Sequence, residues 1–147
     1  MEYKNDFRRH STQNVVRPQL PKVDIKNVNR ELFSDIAKKA ANACSNRKDI
    51  NKTTQLRRFY DELVMWHDKV SSAKTSQEQA ERFKELEPYI QMMRAKVAYA
   101  KGRNLVDDTF YKLFDQVIDE VSDAGTLKNA RLFMEAFMGF KKYFEKN

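Results

Sequence analysis

The residues of this chain with the plainest chemical use are its cations. Arg47, Lys48 and Lys52 share one short polar stretch, Arg57 and Arg58 follow it, and Arg94, Lys96, Lys101 and Arg103 gather well downstream. Arg94 and Lys101 lie seven residues apart, as do Lys96 and Arg103. On a helix each pair therefore recurs after two turns and makes a basic edge about 10 Å long, long enough to follow neighbouring phosphates of one strand. A net charge of +7 and a pI near 9.5 add long-range attraction to polyanions, whether nucleic acid or an anionic membrane.

Other chemistries find little material. The two histidines, His10 and His67, and the single Cys44 are too few for a zinc set. His67 falls on an apolar helical face and reads as a hydrogen-bonded core histidine. Asp107, Asp108, Asp115, Asp119, Glu120 and Asp123 lack the convergent spacing of a divalent-metal site. Asp107 and Asp108 instead suit a helix N-terminus, and the rest read as a solvated or partner-facing acidic surface. There is no Gly-rich phosphate loop and no G-x-S-x-G elbow. The expectation is a protein that is not an enzyme and has no cofactor and no metal. Met65, Met92, Met93, Met134 and Met138 read as core or interface filler.

The elements that must position the cations are helices. With 3 Gly and 3 Pro in 147 residues, turn-rich β architecture is excluded, and the fold class is all-α: a compact bundle of about five helices with an extended N-terminal arm. Residues 1–27, with Pro18, Pro21, Tyr3, Phe7, Arg8 and Arg9, hold no sustained helical period and read as an extended or mobile extension. Residues 28–147 read as the bundle domain. Leu32, Phe33, Ile36, Ala37, Ala40 and Cys44 mark the first amphipathic helix. Thr53 or Thr54 is positioned to cap the second, which buries Leu56, Phe59, Tyr60, Leu63, His67 and Val70. Its opening turn is unusually basic. Arg57 and Arg58 beside Lys52 are disfavoured at a positive helix end unless an anion arrives.

Ser76 and Gln79 resemble a capping box for the next stripe, Phe83, Leu86, Ile90, Met93, Val97 and Ala100. Pro88 should divide that stripe into a short helix and a longer one, and Gly102 should end it in the left-handed conformation. Phe110, Leu113, Phe114, Val117, Ile118 and Val121 make a fourth helix, stopped by Gly125. Thr126 should cap a last one burying Leu127, Ala130, Phe133, Met134, Phe137, Phe140 and Phe144. The N-terminus shows no signal-peptide pattern and no stretch nears the ~20 apolar residues of a membrane span. A cytoplasmic protein without membrane contact is expected.

Two blocks carry a family likeness. Lys52-Thr53-Thr54-Gln55-Leu56-Arg57-Arg58-Phe59-Tyr60-Asp61-Glu62 resembles the Thr/Ser-x-(Leu/Ile)-Arg-x-Phe helix start of small subunits of type III-A CRISPR interference complexes. Met93-Arg94-Ala95-Lys96-Val97-Ala98-Tyr99-Ala100-Lys101-Gly102-Arg103 resembles that family's Lys-x-x-Tyr-x-x-Gly-Arg helix end. The aromatic-rich stretch Phe137 to Phe144 also suits it, so the likeness spans about Thr53 to Phe144. The resemblance implies a non-catalytic helical subunit, present in several copies stacked beside the backbone and large subunits. Its basic residues would line the path of target RNA and of the guide RNA. By matching position this falls on Arg57, Arg58, Lys96, Lys101 and Arg103, which coincide with the basic clusters. Tyr99 and Gly102 match too, but read as packing and capping residues.

Lys52, Arg57, Arg58, Arg94, Lys96, Lys101, Arg103, Arg47 and Lys48 are thus the expected contacts to RNA backbone, with no base readout. Two rivals remain: a helical assembly protein without direct RNA contact, and a helix-turn-helix DNA-binding protein, whose recognition helix would need side chains presented to base edges.

Overall fold

Leu127, Ala130, Phe133, Met134 and Phe137 recur at helical spacing and all five side chains are fully buried, which makes the last helix the axis of the fold. The structure, a computed structural model, describes residues 18–145. A π-helical turn, Leu32–Ile36, leads into α1 (Ala37–Ala43). Then come α2 (Thr53–Ser71), α3 (Ser76–Gln91), α4 (Met93–Gly102), α5 (Asp108–Asp119) and α6 (Ala124–Phe144). No strand occurs among the described residues. Both α1 and α2 lean chiefly on α6, α3 packs on α2, and α4 packs on α5. With α3 and α4 taken as one broken rod, this is the expected five-helix bundle.

Aromatic rings knit the centre. Phe110 of α5 lies 5.9 Å from Phe59 of α2, 5.7 Å from Phe114 and 5.9 Å from Phe137 of α6, centroid to centroid. These tilted and offset pairs suit aromatic quadrupoles and join three helices through one side chain. Cys44 is fully buried where α1 ends.

Several helix ends differ from expectation. The α3 capping box is Thr75 with Glu78, one residue earlier than Ser76 with Gln79; Gln79 instead donates to the Ala73 carbonyl. α3 runs through Pro88 and breaks at Met92. Pro88 and Lys84, whose carbonyl loses its intrahelical donor, are both exposed, so water takes that carbonyl and the helix survives. Gly102 does not adopt the left-handed conformation; Asn104 does, at φ 61°. Leu105 N–H returns to Ala100 O (3.0 Å) and Asn104 N–H to Lys101 O (3.0 Å), a Schellman closure with Asn in the glycine position. Gly125 lies inside the first turn of α6. The cap there is Asp123, with Thr126 as its reciprocal partner. α2 starts at Lys52 with no side-chain cap from Thr53 or Thr54.

Packing also begins earlier than position 28. Val23 and Ile25 belong to the core. Their carbonyls are bound by Gln116 Nε2 (3.1 Å) and Asn129 Nδ2 (2.9 Å). A strip that ends in a turn, closed by Asn27 N–H to Asp24 O (3.3 Å), needs no helical period, only two apolar side chains and donors for its backbone, so Val23 and Ile25 join the core without a periodic signal. Tyr3, Phe7, Arg8, Arg9 and His10 lie outside the described residues.

Candidate nucleic-acid interface

The loop between α1 and α2 is built around a buried asparagine. Arg47 and Ile50 exchange backbone hydrogen bonds of 3.1 and 2.9 Å, and Lys48 and Asn51 both take positive φ (54° and 60°). Asn51 is fully buried. Its N–H donates to Leu105 O (3.0 Å) and its Oδ1 accepts from Asp107 N–H (3.1 Å). Its carbonyl accepts from Lys141 Nζ (3.1 Å), which also donates to Cys44 O (2.9 Å) and to Asn46 Oδ1. Lys141 is 3% exposed, and burial pushes its pKa below the ordinary lysine value. The three oxygens around Nζ offset part of that desolvation. So held, the loop leaves Arg47, Lys48 and Lys52 at the surface.

The same contacts bring the two basic clusters together. Asn51, just before α2, meets Leu105, just after α4, while Glu62 further along α2 receives Lys96 Nζ at 3.0 Å. These two bridges join α2 and α4 in opposite chain order. The loop that precedes α2 thus meets the end of α4, and Arg58, one turn before Glu62, shares the face of α2 that receives Lys96.

Not all nine cations point the same way. Arg94 grips α5: Nε and Nη2 reach both oxygens of Asp115 (2.9 and 3.3 Å) and Nη1 reaches Asp119 (2.9 Å). Lys101 also turns to α5, donating to Asp108 (2.6 Å) and lying over the Tyr111 ring. Hydrogen bonds from Lys101 and Lys112 hold the Asp108 carboxyl below the usual carboxylate range. Arg47 pairs with Asp107 (3.2 Å), Lys52 with Asp49 (3.2 Å), and Arg57 more loosely with Asp61 (3.7 Å). Among the described residues Lys48, Arg58 and Arg103 make no ion pair; Arg103 lies over the Tyr99 ring instead. The acidic surface expected to be solvated or to face a partner stays partly exposed, while several of its carboxylates pair with cations of the same chain. Asp107 caps α5, and Asp108, Asp115 and Asp119 answer cations of α4.

Two features carry no local signal in the sequence. Asn51 gave no signal, because its role rests on contacts with residues far along the chain. Tyr99, expected to pack, is 66% exposed; its phase against the buried Met93, Val97 and Ala100 places it on the outer face. His67 is half-buried, its Nδ1 accepting from Arg131 Nη1 at 3.0 Å. No three His, Cys, Asp or Glu residues converge as a metal site among the described residues, and no described helix is long and apolar enough to cross a membrane.

The sequence profile of the Csm2 Type III-A family matches residues 27–147. The chain belongs to that family. It is a small subunit of the type III-A Csm complex. The family match covers α1 to α6 and both basic clusters, and it starts within the extended strip that carries Val23 and Ile25. No curated protein and no solved structure matches the chain.

Proposed function

We propose that this Csm2-family chain is a non-catalytic, cytoplasmic subunit that stacks in several copies and holds the backbone of target RNA and of the guide–target duplex through basic residues. The observation that carries this reading is the meeting of the uncapped start of α2 with the end of α4. It brings the loop of Lys48 and Lys52 to the end of α4 that carries Arg103, and Arg58, one turn before Glu62, shares the face of α2 that meets Lys96. An uncapped helix N-terminus has free N–H groups and positive dipole character, and cations crowded there are relieved by an anion. Arg58, Arg103 and Lys48 are the strongest candidates because, among the described residues, no carboxylate pairs with them. Arg94 belongs to the α4–α5 clamp and contributes by holding α4 in place.

The test is the salt dependence of single-stranded RNA affinity for wild type and for a Lys48, Arg58, Arg103 triple Ala variant. Loss of three phosphate contacts flattens the slope of log K against log salt by roughly two. Equal slopes would defeat the reading. They would favour the assembly protein, for which an open apolar groove lined by Phe33, Ala136, Gly139, Phe140 and Tyr143 offers a surface.

A further inference from the structure

Three tyrosines are strongly exposed among the described residues: Tyr143 stands apart on α6 beside Phe144, and the other two flank one cluster. Tyr99 is 66% exposed and Tyr89 54% exposed. Tyr89 stacks on Trp66, with centroids 6.1 Å apart and planes 21° apart. Trp66 Nε1 donates to Glu62 (3.0 Å), and the same carboxylate accepts from Lys96 (3.0 Å). One turn beyond Lys96 on α4 stands Tyr99, with the Arg103 guanidinium 5.8 Å from its ring centroid. Tyr89, Trp66, Glu62, Lys96, Tyr99 and Arg103 therefore lie along one strip: a stacked pair of rings, a carboxylate bridging the indole to a lysine, then a third ring under a guanidinium.

A strip of this kind offers both surfaces that a single nucleic-acid strand uses: π faces for bases and cations for phosphates. Its one carboxylate, Glu62, is already neutralised by Lys96 and bonded to the indole, so it does not repel a phosphate at full strength. Resting on the RNA-binding reading above, we infer that Tyr99 and the Trp66–Tyr89 stack are platforms on which unpaired nucleobases of single-stranded RNA lie. Stacking of this kind reads no sequence, since every base has a π face. It leaves sequence recognition to pairing with the guide and adds affinity that salt does not screen.

The test compares a single-stranded RNA of roughly ten nucleotides with an abasic ribose-phosphate oligomer of the same length, titrated into the full chain at low salt. RNA binds more tightly than the abasic oligomer. Tyr99→Leu and Tyr89→Leu each weaken RNA binding roughly 5- to 100-fold and leave the abasic affinity and the salt slope unchanged, whereas Tyr99→Phe retains wild-type affinity. RNA, but not the abasic oligomer, quenches the emission of Trp66, the chain's one tryptophan. Equal affinity for the two oligomers, or Leu variants indistinguishable from wild type, overturns the stacking inference while the salt slope still upholds phosphate binding. Absence of salt-dependent binding of either oligomer overturns both. Loss of incorporation into the assembled complex at unchanged RNA affinity gives the strip to a protein neighbour and likewise overturns the inference.

Discussion

Lys141 near the end of α6 and Asn51 before α2 are 90 residues apart in sequence and joined by one hydrogen bond, Nζ to carbonyl, at 3.1 Å. The same ammonium holds Cys44 O and Asn46 Oδ1. A single buried cation thus fixes a loop that contains two left-handed residues and carries three surface cations.

Replacing Lys141 with Met keeps most of the apolar stem and strips the donors from buried oxygens. Unfolding free energy should fall by about 2 kcal/mol or more, measured by denaturant titration. Amide exchange should accelerate at Asn51, whose N–H is bound to Leu105 O. Exchange unchanged at Asn51 would show that the loop keeps its shape without the lysine.

Arg94→Lys tests the α4–α5 clamp. Lysine keeps the charge but loses the fork that spans Asp115 and Asp119. The pair is partly exposed, so the expected loss is about 1 kcal/mol, seen as a lower melting temperature, with the RNA salt slope unaltered. A flattened slope at full stability would instead put Arg94 on the phosphate path.

Helix and core positions were legible because they follow from local spacing. Phe110, Leu113, Phe114, Val117 and Ile118 repeat at the α-helical period, and all are buried. Cap positions were legible only to within one to three residues: Thr75-Ser76-Gln77-Glu78-Gln79 contains two overlapping boxes of which packing selects Thr75, and Asp123 rather than Thr126 caps α6. The ion pairs were not legible. Nothing near Lys96 in sequence names Glu62, and nothing near Arg94 names Asp115; those partners meet only once α4 is packed on α5 and bridged to α2. The strip holding Val23 and Ile25 was hidden for a related reason, because its backbone is satisfied by side chains of α5 and α6 rather than by a neighbour along the chain. The two basic clusters could be named from sequence, but their meeting depends on the Asn51–Leu105 contact.

His67 gives the fold a mild acid sensitivity. Burial first, and the Arg131 guanidinium second, hold its imidazole below the ordinary 6.5. As pH falls the unfolded chain takes up this proton before the folded one. The stabilisation is therefore complete above 6.5 and is lost as pH falls through the lower folded value. Unfolding free energy measured between about pH 7 and about pH 5 should decline more for wild type than for His67→Gln. Parallel curves would mean that the imidazole titrates freely.

Asp123 should govern the start of α6. Hydrogen bonds from Thr126, backbone first, hold its carboxyl below the usual 3.8. Asp123→Ala should cost about 1 kcal/mol near neutral pH, and Asp123→Asn less. Because the folded value is depressed, the advantage of carboxylate over amide is full above 3.8 and disappears as pH falls through the folded value. Chemical denaturation of the three proteins across that range checks both the size and the sign.

The chain's only cysteine ends α1 under the Lys141 clamp, fully buried, and burial pushes its thiol well above the usual range. Alkylating reagents therefore find no thiolate while that joint is closed. The native protein is a silent background on which a new surface cysteine can carry a spectroscopic label. The slow modification of Cys44 itself becomes a clock for the opening of the joint between α1 and α6.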